Sequence, residues 1–439
     1  MSELDDTIVA VATAVGGGIG IIRLSGPDAL PVARAHFRGW PTRVTPRRLY
    51  HGILTDGQGS DLDEGLAVFM PGPRSYTGED IVELQLHGGA LSLRRCLDAL
   101  LASGLRAAEP GEFTRRAFLN GRMDLTRAEA VADLVSARTT RALAMAREHL
   151  SGRLERVALA ARERIVGLRA RVEVAIDFVD EDVPLQDGEA LAAEAAEVSR
   201  ELRALAATWR QGRLWREGAR VALAGRPNAG KSSLFNAWCR RDRAIVTTEP
   251  GTTRDTLEET VELDGVPVVL VDTAGLRETE DRVEAAGIAR AEAAMATADL
   301  VVYLVAPGDP WPAAAPAEGP PRLVVASKID LGAAPDGVRG VSAETGEGLA
   351  ALEAEVLARL GAAGGDGGEL VIARERQRLA LERAADALDA AAEGLRAEAP
   401  FELVAVDLQE AAHAVGTLMG EGTIEEVLDR LFAGFCIGK

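Results

Sequence analysis

Residues 225–232 read GRPNAGKS, directly after the apolar run VALA and before a stretch free of proline and glycine. Few patterns constrain a chain more. The glycines allow a tight turn at a strand end, and the helix that follows aims its free N–H groups at a phosphate. Asn228, Ala229, Gly230 and Ser233 belong to this loop. Lys231 is placed to pair with the β- and γ-phosphates of a nucleotide, and Ser232 to offer its hydroxyl to Mg²⁺. The loop also dictates its surroundings. VALAG, VPVVLVDTAG, LVVYLVA and RLVVASKID read as buried strands, each ending near a polar or Gly-rich loop. That predicts a mainly parallel α/β domain with its ligand at the strand carboxyl ends.

Four further motifs follow in the order that a GTPase requires. PGTTRD (250–255) places Thr252 and Thr253 in a switch loop, where Thr253 can meet Mg²⁺ and the γ-phosphate. The preceding Thr247, Thr248, Glu249, Pro250 and Gly251 are read with it as nucleotide-binding. DTAG (272–275) sits at a strand end. Asp272 would hold Mg²⁺ through water, the Gly275 N–H would sense the γ-phosphate, and Thr273 and Ala274 lie between them. SKID (327–330) supplies Asp330, which can accept from the guanine N1–H and amino group, and Lys328, whose stem can lie along the base. VSAETG (341–346) offers the backbone of Ser342 and Ala343 to the guanine oxygen. Two positions depart from the usual pattern. Ser327 stands where Asn is common, so one amide contact to the base or the phosphate loop is expected to be lost, weakening affinity and leaving specificity with Asp330. Leu276 stands where Ras-like proteins orient water with Gln, so another group must do so. Arg254 and Arg277 are candidates for an arginine finger, although surface ion pairs are the commoner role.

The flanks differ from this domain. The first 120 residues are rich in Gly and turn dipeptides, with short β-like runs such as GIGIIRLSG and EDIVELQLHGG, which predicts a compact α+β domain. GGGIG leads into a β-like run and not a helix, which excludes a dinucleotide loop. From Leu125 to about Phe178 the pattern turns helical, with Thr126 and Glu129 at capping-box spacing. Its many arginines alternate with glutamates, as on a solvated face with i,i+4 pairs; a basic track for RNA or a partner is the alternative. A second helical block covers about 187–210. The segment 361–369, GAAGGDGGE, reads as a flexible linker. Helical pattern then returns, with Thr423 and Glu426 as another capping box and Gly434 as a stop. A length of 439 residues fits about three domains. The net charge of −19 argues against a broad nucleic-acid surface. Cys96, Cys239 and Cys436 make neither zinc spacing nor a disulfide framework, which fits a reducing cytoplasm. No signal peptide or membrane span is read, and no stable membrane association is expected. FCIGK (435–439) has a cysteine four from the end, but Gly438 and Lys439 make a poor prenylation box.

GRPNAGKSS, GTTRD, DTAGLRE, a nucleotide domain set between two helical segments, and the ending FCIGK together resemble the MnmE (TrmE) family of tRNA-modification GTPases, over essentially the whole chain. The resemblance implies a folate-binding and dimerising domain over 1–120 and a helical domain whose first part covers 121–215. It places a G domain at 216–363 and the second helical part, with the Cys-containing tail, at 364–439. It implies a cytoplasmic homodimer that joins the FAD-containing protein MnmG in a heterotetramer. Together they would modify carbon 5 of the wobble uridine of certain tRNAs, using a one-carbon unit from 5-formyl- or methylene-tetrahydrofolate. It further implies that K⁺ replaces the arginine finger, held by Asn228 with Thr247, Glu249 and Thr252, and that Glu284 orients the attacking water. Folate contacts would fall to Arg23, Glu83, Arg122 and Lys439, where Arg122 replaces the more usual Lys. Cys436 would be catalytic in modification. Two rival readings are a ribosome-assembly GTPase, which would need a basic RNA module, and a regulatory switch in which hydrolysis only sets timing.

Overall fold

The structure is a computed structural model that describes residues 6–177, 188–241, 258–272, 295–312, 319–362 and 369–438. The chain packs as two units. One holds residues up to 132 together with 149–162 and those from 415 on; the other holds 133–148 and 163–414.

The first unit is α+β, as its turn-rich sequence predicts. Its strands are β1 (Ile8–Val11), β2 (Ile19–Ser25), β3 (Phe37–Arg38), β4 (Leu49–Thr55), β5 (Asp61–Met70), β6 (Ile81–His87) and β7 (Arg106–Ala107). They form one sheet in the order β3-β4-β5-β6-β2-β1-β7. Side chains alternate across it. Ile22 and Leu24 are fully buried with Val82 and Leu84 of the neighbouring strand, and α1 (Ala29–His36) and α2 (Ala90–Leu101) cover that face. Arg23 and Glu83, directly paired in register, carry the opposite phase. GGGIG does lead into a strand, β2.

The helical stretch is three helices, α3 (Glu112–Leu119) being followed by α4 (Leu125–Ser136), α5 (Thr140–Leu150) and α6 (Arg153–Asp177). The expected cap at Thr126 is corrected. Asp124 caps α4, its carboxylate accepting from the Thr126 and Arg127 N–H groups at 3.2 Å each and from the Thr126 hydroxyl at 2.6 Å. A carboxylate also suits the positive helix terminus better than a hydroxyl. The arginines of α6 are largely matched by acids, but the expected i,i+4 geometry accounts for Arg169–Glu173 alone among those described. Arg162 makes a bidentate pair with Glu421, and Arg164 meets Glu197 and Glu201 on α7 (Gly188–Ala207).

In the second unit, α8 (Trp209–Glu217) leads into β8 (Ala219–Gly225), α9 (Lys231–Arg241), β9 (Glu258–Leu263), β10 (Val266–Asp272), β11 (Leu300–Val305), β12 (Arg322–Ser327), β13 (Arg339–Val341) and α10 (Leu349–Leu360). The sheet order is β13-β12-β11-β8-β10-β9, parallel throughout except for β9. The helical remainder is α11 (Glu375–Arg396), α12 (Phe401–Met419) and α13 (Glu425–Phe432), the last in the first unit. Buried alanines on α7 and α11 let the helices approach closely enough for the Ser199 hydroxyl to donate to the Ala385 carbonyl at 3.2 Å. The second capping box does not form: α13 begins at Glu425 after Ile424, with no side-chain cap. The segment 363–368 of the expected linker lies outside the described residues.

Arg116 on α3 is 1% exposed and lies among Asp6, Glu79 and Glu112. Burial would raise the Asp6 and Glu112 carboxyls, but hydrogen bonds from Arg106 and Arg116 at Asp6, and chiefly from Arg106 at Glu112, hold both below their ordinary values. Their contribution to stability is therefore present at neutral pH and lost as pH falls through those lowered values. Arg116→Met strands three acids around a buried apolar stem. It should cost about 3–5 kcal/mol of unfolding free energy and blunt the acid-side loss, both measured by urea titration of the whole chain across pH.

Candidate functional site

The phosphate loop follows the central strand β8. Gly225 has φ +143°, and a Cβ there would lie 2.5 Å from the Leu304 carbonyl oxygen, so only glycine allows β8 and β11 to pair this closely. Asn228 at φ 63° and Gly230 at φ 90° complete the turn into α9. Asn tolerates the left-handed region better than most residues, so its backbone alone is one reason for its presence. Lys231 is nearly buried and donates to the Gly225 and Arg226 carbonyls at 3.0 and 2.8 Å. Its ammonium thus lies across the loop at the place where a nucleotide's phosphates would compete for it. Ser232 follows as the second residue of α9.

At the carboxyl end of β12 the Ser327 hydroxyl donates to the Ala229 carbonyl of the phosphate loop at 2.7 Å, in a buried site. The expectation that Ser in place of Asn costs the link to the phosphate loop is therefore corrected. A shorter side chain reaches the same backbone, because β12 ends close beside the loop. Lys328 takes φ 55°. The Ser342 hydroxyl donates to Asp330 Oδ1 at 2.6 Å and accepts from the Thr345 N–H at 3.1 Å, which fixes the carboxylate's orientation. A cavity of about 190 Å³ brings Gly230, Ser233, Ser327, Lys328, Asp330 and Ala343 together, with Leu331 and Glu344 on its wall. Leu331 is 74% exposed, and no periodicity in the sequence marks it as a wall residue. Nor does the sequence show that the Ser342 side chain, and not only its backbone, belongs here.

The backbone of Asp272 closes β10 opposite Leu223. Thr247, Thr248, Glu249, Pro250, Gly251, Thr252 and Thr253 lie outside the described residues, as do Thr273, Ala274, Gly275, Glu284 and Lys439. Among the described residues no cluster of three His, Cys, Asp or Glu side chains could hold a metal, and no helix is long and apolar enough to cross a membrane.

The first unit gathers a second set. Arg23 donates to Glu83 Oε1 through Nε at 2.9 Å, with a second nitrogen at 2.8 Å. Its guanidinium lies 5.7 and 5.5 Å from the Tyr76 and Phe113 ring centres. It also donates to the Gly438 carbonyl at 3.3 Å. Arg122 donates to the Ser75 carbonyl at 3.1 Å, on the loop that carries Tyr76. The tail docks by its backbone. Ile437 bridges to Pro110, and the Gly111 N–H donates to the Cys436 carbonyl at 3.3 Å. Gly438, at φ 90°, lies so close to β1 that a Cβ would be 2.3 Å from the Val11 carbonyl oxygen. Burial pushes the Cys96 and Cys239 thiols up to about 11, whereas Cys436 is exposed.

Two family models match the chain: the MnmE helical domain over residues 125–436 and the GTP-binding protein TrmE N-terminus over 7–122. The tRNA modification GTPase MnmE of Symbiobacterium thermophilum is 49% identical, covering 99% of this chain and all of that one. The protein of the same name from Synechococcus sp. strain CC9605 is 47% identical over 99% of each. Among solved structures, the G domain of the T. maritima FeoB iron transporter shares 26% identity over 32% of this chain and 98% of that one, with a TM-score of 0.23.

Because Asp330 is the acceptor aimed into the cavity, Asp330→Asn should move preference from GTP toward xanthosine triphosphate. An amide reverses one donor–acceptor pairing. Competition binding of the two nucleotides to wild type and variant checks this; unchanged discrimination would assign base reading to other groups.

Proposed function

The chain belongs to the MnmE family of tRNA modification GTPases, a GTP hydrolase acting in tRNA modification, and from that premise we propose how its two sites divide the work. The nucleotide site binds GTP. Asp330, oriented by Ser342, reads the guanine edge; Lys328 lies along the base; Ser342 and Ala343 offer backbone to its oxygen. The phosphate loop from Asn228 to Ser233 holds the phosphates, with Lys231 leaving its two carbonyl acceptors for them. Thr247 to Thr253 and Asp272 to Gly275 would meet the γ-phosphate. Ser232 and Thr253 suit Mg²⁺, and Asn228 with Thr247, Glu249 and Thr252 suits K⁺, which would neutralise charge developing on the phosphates. Glu284 orients the attacking water in place of the Gln that Leu276 replaces.

The second site takes tetrahydrofolate. A guanidinium and a carboxylate side by side, flanked by two aromatic rings, offer donors, acceptors and apolar faces to a flat heteroaromatic ring. Folate supplies a one-carbon unit when bound. Arg23 and Glu83 would orient it, Arg122 and Lys439 would meet its anionic end, and Cys436 stands exposed on the docked tail as the reacting thiol. The observation that supports this reading is the hydrogen bond from Arg23 to Gly438, two residues beyond Cys436, which ties the tail to the proposed pterin-binding arginine. The substrate is the wobble uridine of certain tRNAs, modified at carbon 5 by a homodimer acting with the flavin protein MnmG in the cytoplasm. Mass spectrometry of wobble uridines in cells lacking this chain tests the assignment: loss of the modified base is expected, and a full complement would overturn it.

Hydrolysis should run faster in K⁺ than in Na⁺, since the ion stands in for an arginine finger worth about 10³–10⁵ in rate. Equal steady-state turnover in the two salts would remove the ion from the mechanism. Cys436→Ser should leave GTP turnover near normal and abolish tRNA modification, because a hydroxyl is a far weaker nucleophile and acid than a thiol. Both activities measured on one purified variant decide it; full modification would make Cys436 a packing residue.

A further inference from the structure

β12 borders the nucleotide cavity at its carboxyl end and a larger space at its amino end. β13 pairs with Val325–Ser327 only, so among the described residues no strand lies outside Arg322–Val324. The groove beside them has a volume of about 720 Å³, and Trp311, Arg322, Arg339, Arg359 and Glu355 line it. Two guanidinium groups, those of Arg339 and Arg359, meet one carboxylate there, in a chain of net charge −19. The arms are held in place. Arg339 donates to Glu355 Oε2 at 3.0 Å, and Arg359 to Glu355 Oε1 at 3.3 Å and to the Arg322 carbonyl at 3.4 Å. Arg322 lies 5.3 Å from the Tyr303 ring centre. Each guanidinium carries five donors, more than Glu355 can satisfy. Trp311 is 44% exposed, a large aromatic face that folding leaves open to solvent.

Fixed guanidinium forks match phosphate oxygens, and an open indole accepts a stacked base. An acidic peptide would use the arginines and leave the indole idle. Duplex RNA would keep its bases stacked on one another. The combination fits unpaired RNA. We propose that this groove binds a single-stranded stretch of the tRNA substrate, with phosphates on Arg339 and Arg359 and one base on Trp311. A chain this acidic repels RNA at long range, so attraction has to come from a local, pre-arranged cluster within about a Debye length. The groove is separate from the nucleotide cavity and from the folate-type site, and binding there requires neither.

The test measures affinity of the full-length protein for a tRNA transcript and for a short single-stranded oligonucleotide, by fluorescence anisotropy over a range of salt. Arg339→Ala with Arg359→Ala should weaken both about tenfold or more and lower the slope of log affinity against log salt by about 0.7 per lost phosphate contact. The corresponding double Lys variant should recover most of the slope. Trp311→Ala should weaken the oligonucleotide at least fivefold with the slope unchanged. GTP turnover without RNA should be unaltered in all of them, which verifies folding. No measurable binding by the unsubstituted protein overturns the proposal, as does unchanged affinity in the double Ala variant. So does loss on removing the arginines with none on removing Trp311, or equal competition by polyglutamate.

Discussion

The contact on which the chain's organisation rests is main chain against main chain: Gly438 laid on the Val11 carbonyl, with Ile437 bridged to Pro110. Residues from 415 onward thereby return to the unit that contains the first strand. Residues 163–414 lie between in the other unit, which makes the nucleotide sheet an insertion and splits the helical part into two stretches. Side-chain packing supports the return, through Leu428 and Phe432 against Leu125 and Ala128. Glycine is what permits the close approach. At position 111 a Cβ would lie 2.9 Å from Phe435 Cβ, and at 438 the clash would be with backbone, which cannot move aside.

The sequence reveals the nucleotide half far better than the other. Its motifs are local: strand, loop and helix N-terminus are contiguous, so GRPNAGKS implies β8 and α9 with no knowledge of tertiary contacts. Asp330, the proposed base reader, stands out for the same reason. What is not legible is cross-chain. Ser327 keeps its tie to Ala229 because of how near β12 ends to the loop, and Ser342 orients Asp330 across 12 positions. Helix caps are hard to place from sequence because Ser/Thr and Glu at capping spacing are common in polar sequence. At α4 the competing carboxylate of Asp124 sits two residues earlier and bonds the first-turn N–H groups itself. The Arg23–Glu83 pair is a matter of strand register between segments about sixty positions apart, and only the resemblance to a family drew attention to it.

Charge shows how a strongly acidic chain can carry many arginines without a general basic surface. Arg164 and Arg203 are spent on acids of neighbouring helices, and Arg116 on Asp6, Glu79 and Glu112. Exposed pairs of this kind add little stability individually. Their consequence is electrostatic: they cancel the field that a row of arginines would otherwise project. Guanidinium groups outnumber the carboxylate where Arg339 and Arg359 meet Glu355. The arginines of α6 are thus largely paired with acids, while Arg339 on β13 and Arg359 on α10 meet at Glu355 without any sequence signal.

The nucleotide site also has a mechanical logic. Ser327 joins the base-binding end of β12 to the carbonyl of Ala229, one residue from Gly230 and two from Lys231. Lys231 in turn bonds the carbonyls at the start of the same loop. Base and phosphate recognition therefore share one backbone segment of five residues that cannot move at one end without disturbing the other. A base seated on Asp330 stabilises the β12 terminus, which holds Ala229 and hence the loop geometry that presents N–H groups to phosphate. Conversely, phosphates that draw Lys231 from its carbonyls act on a loop already anchored at its far end. On the proposed reading, in which Asp330 meets only the base edge, selectivity for guanine can then influence how the triphosphate is held.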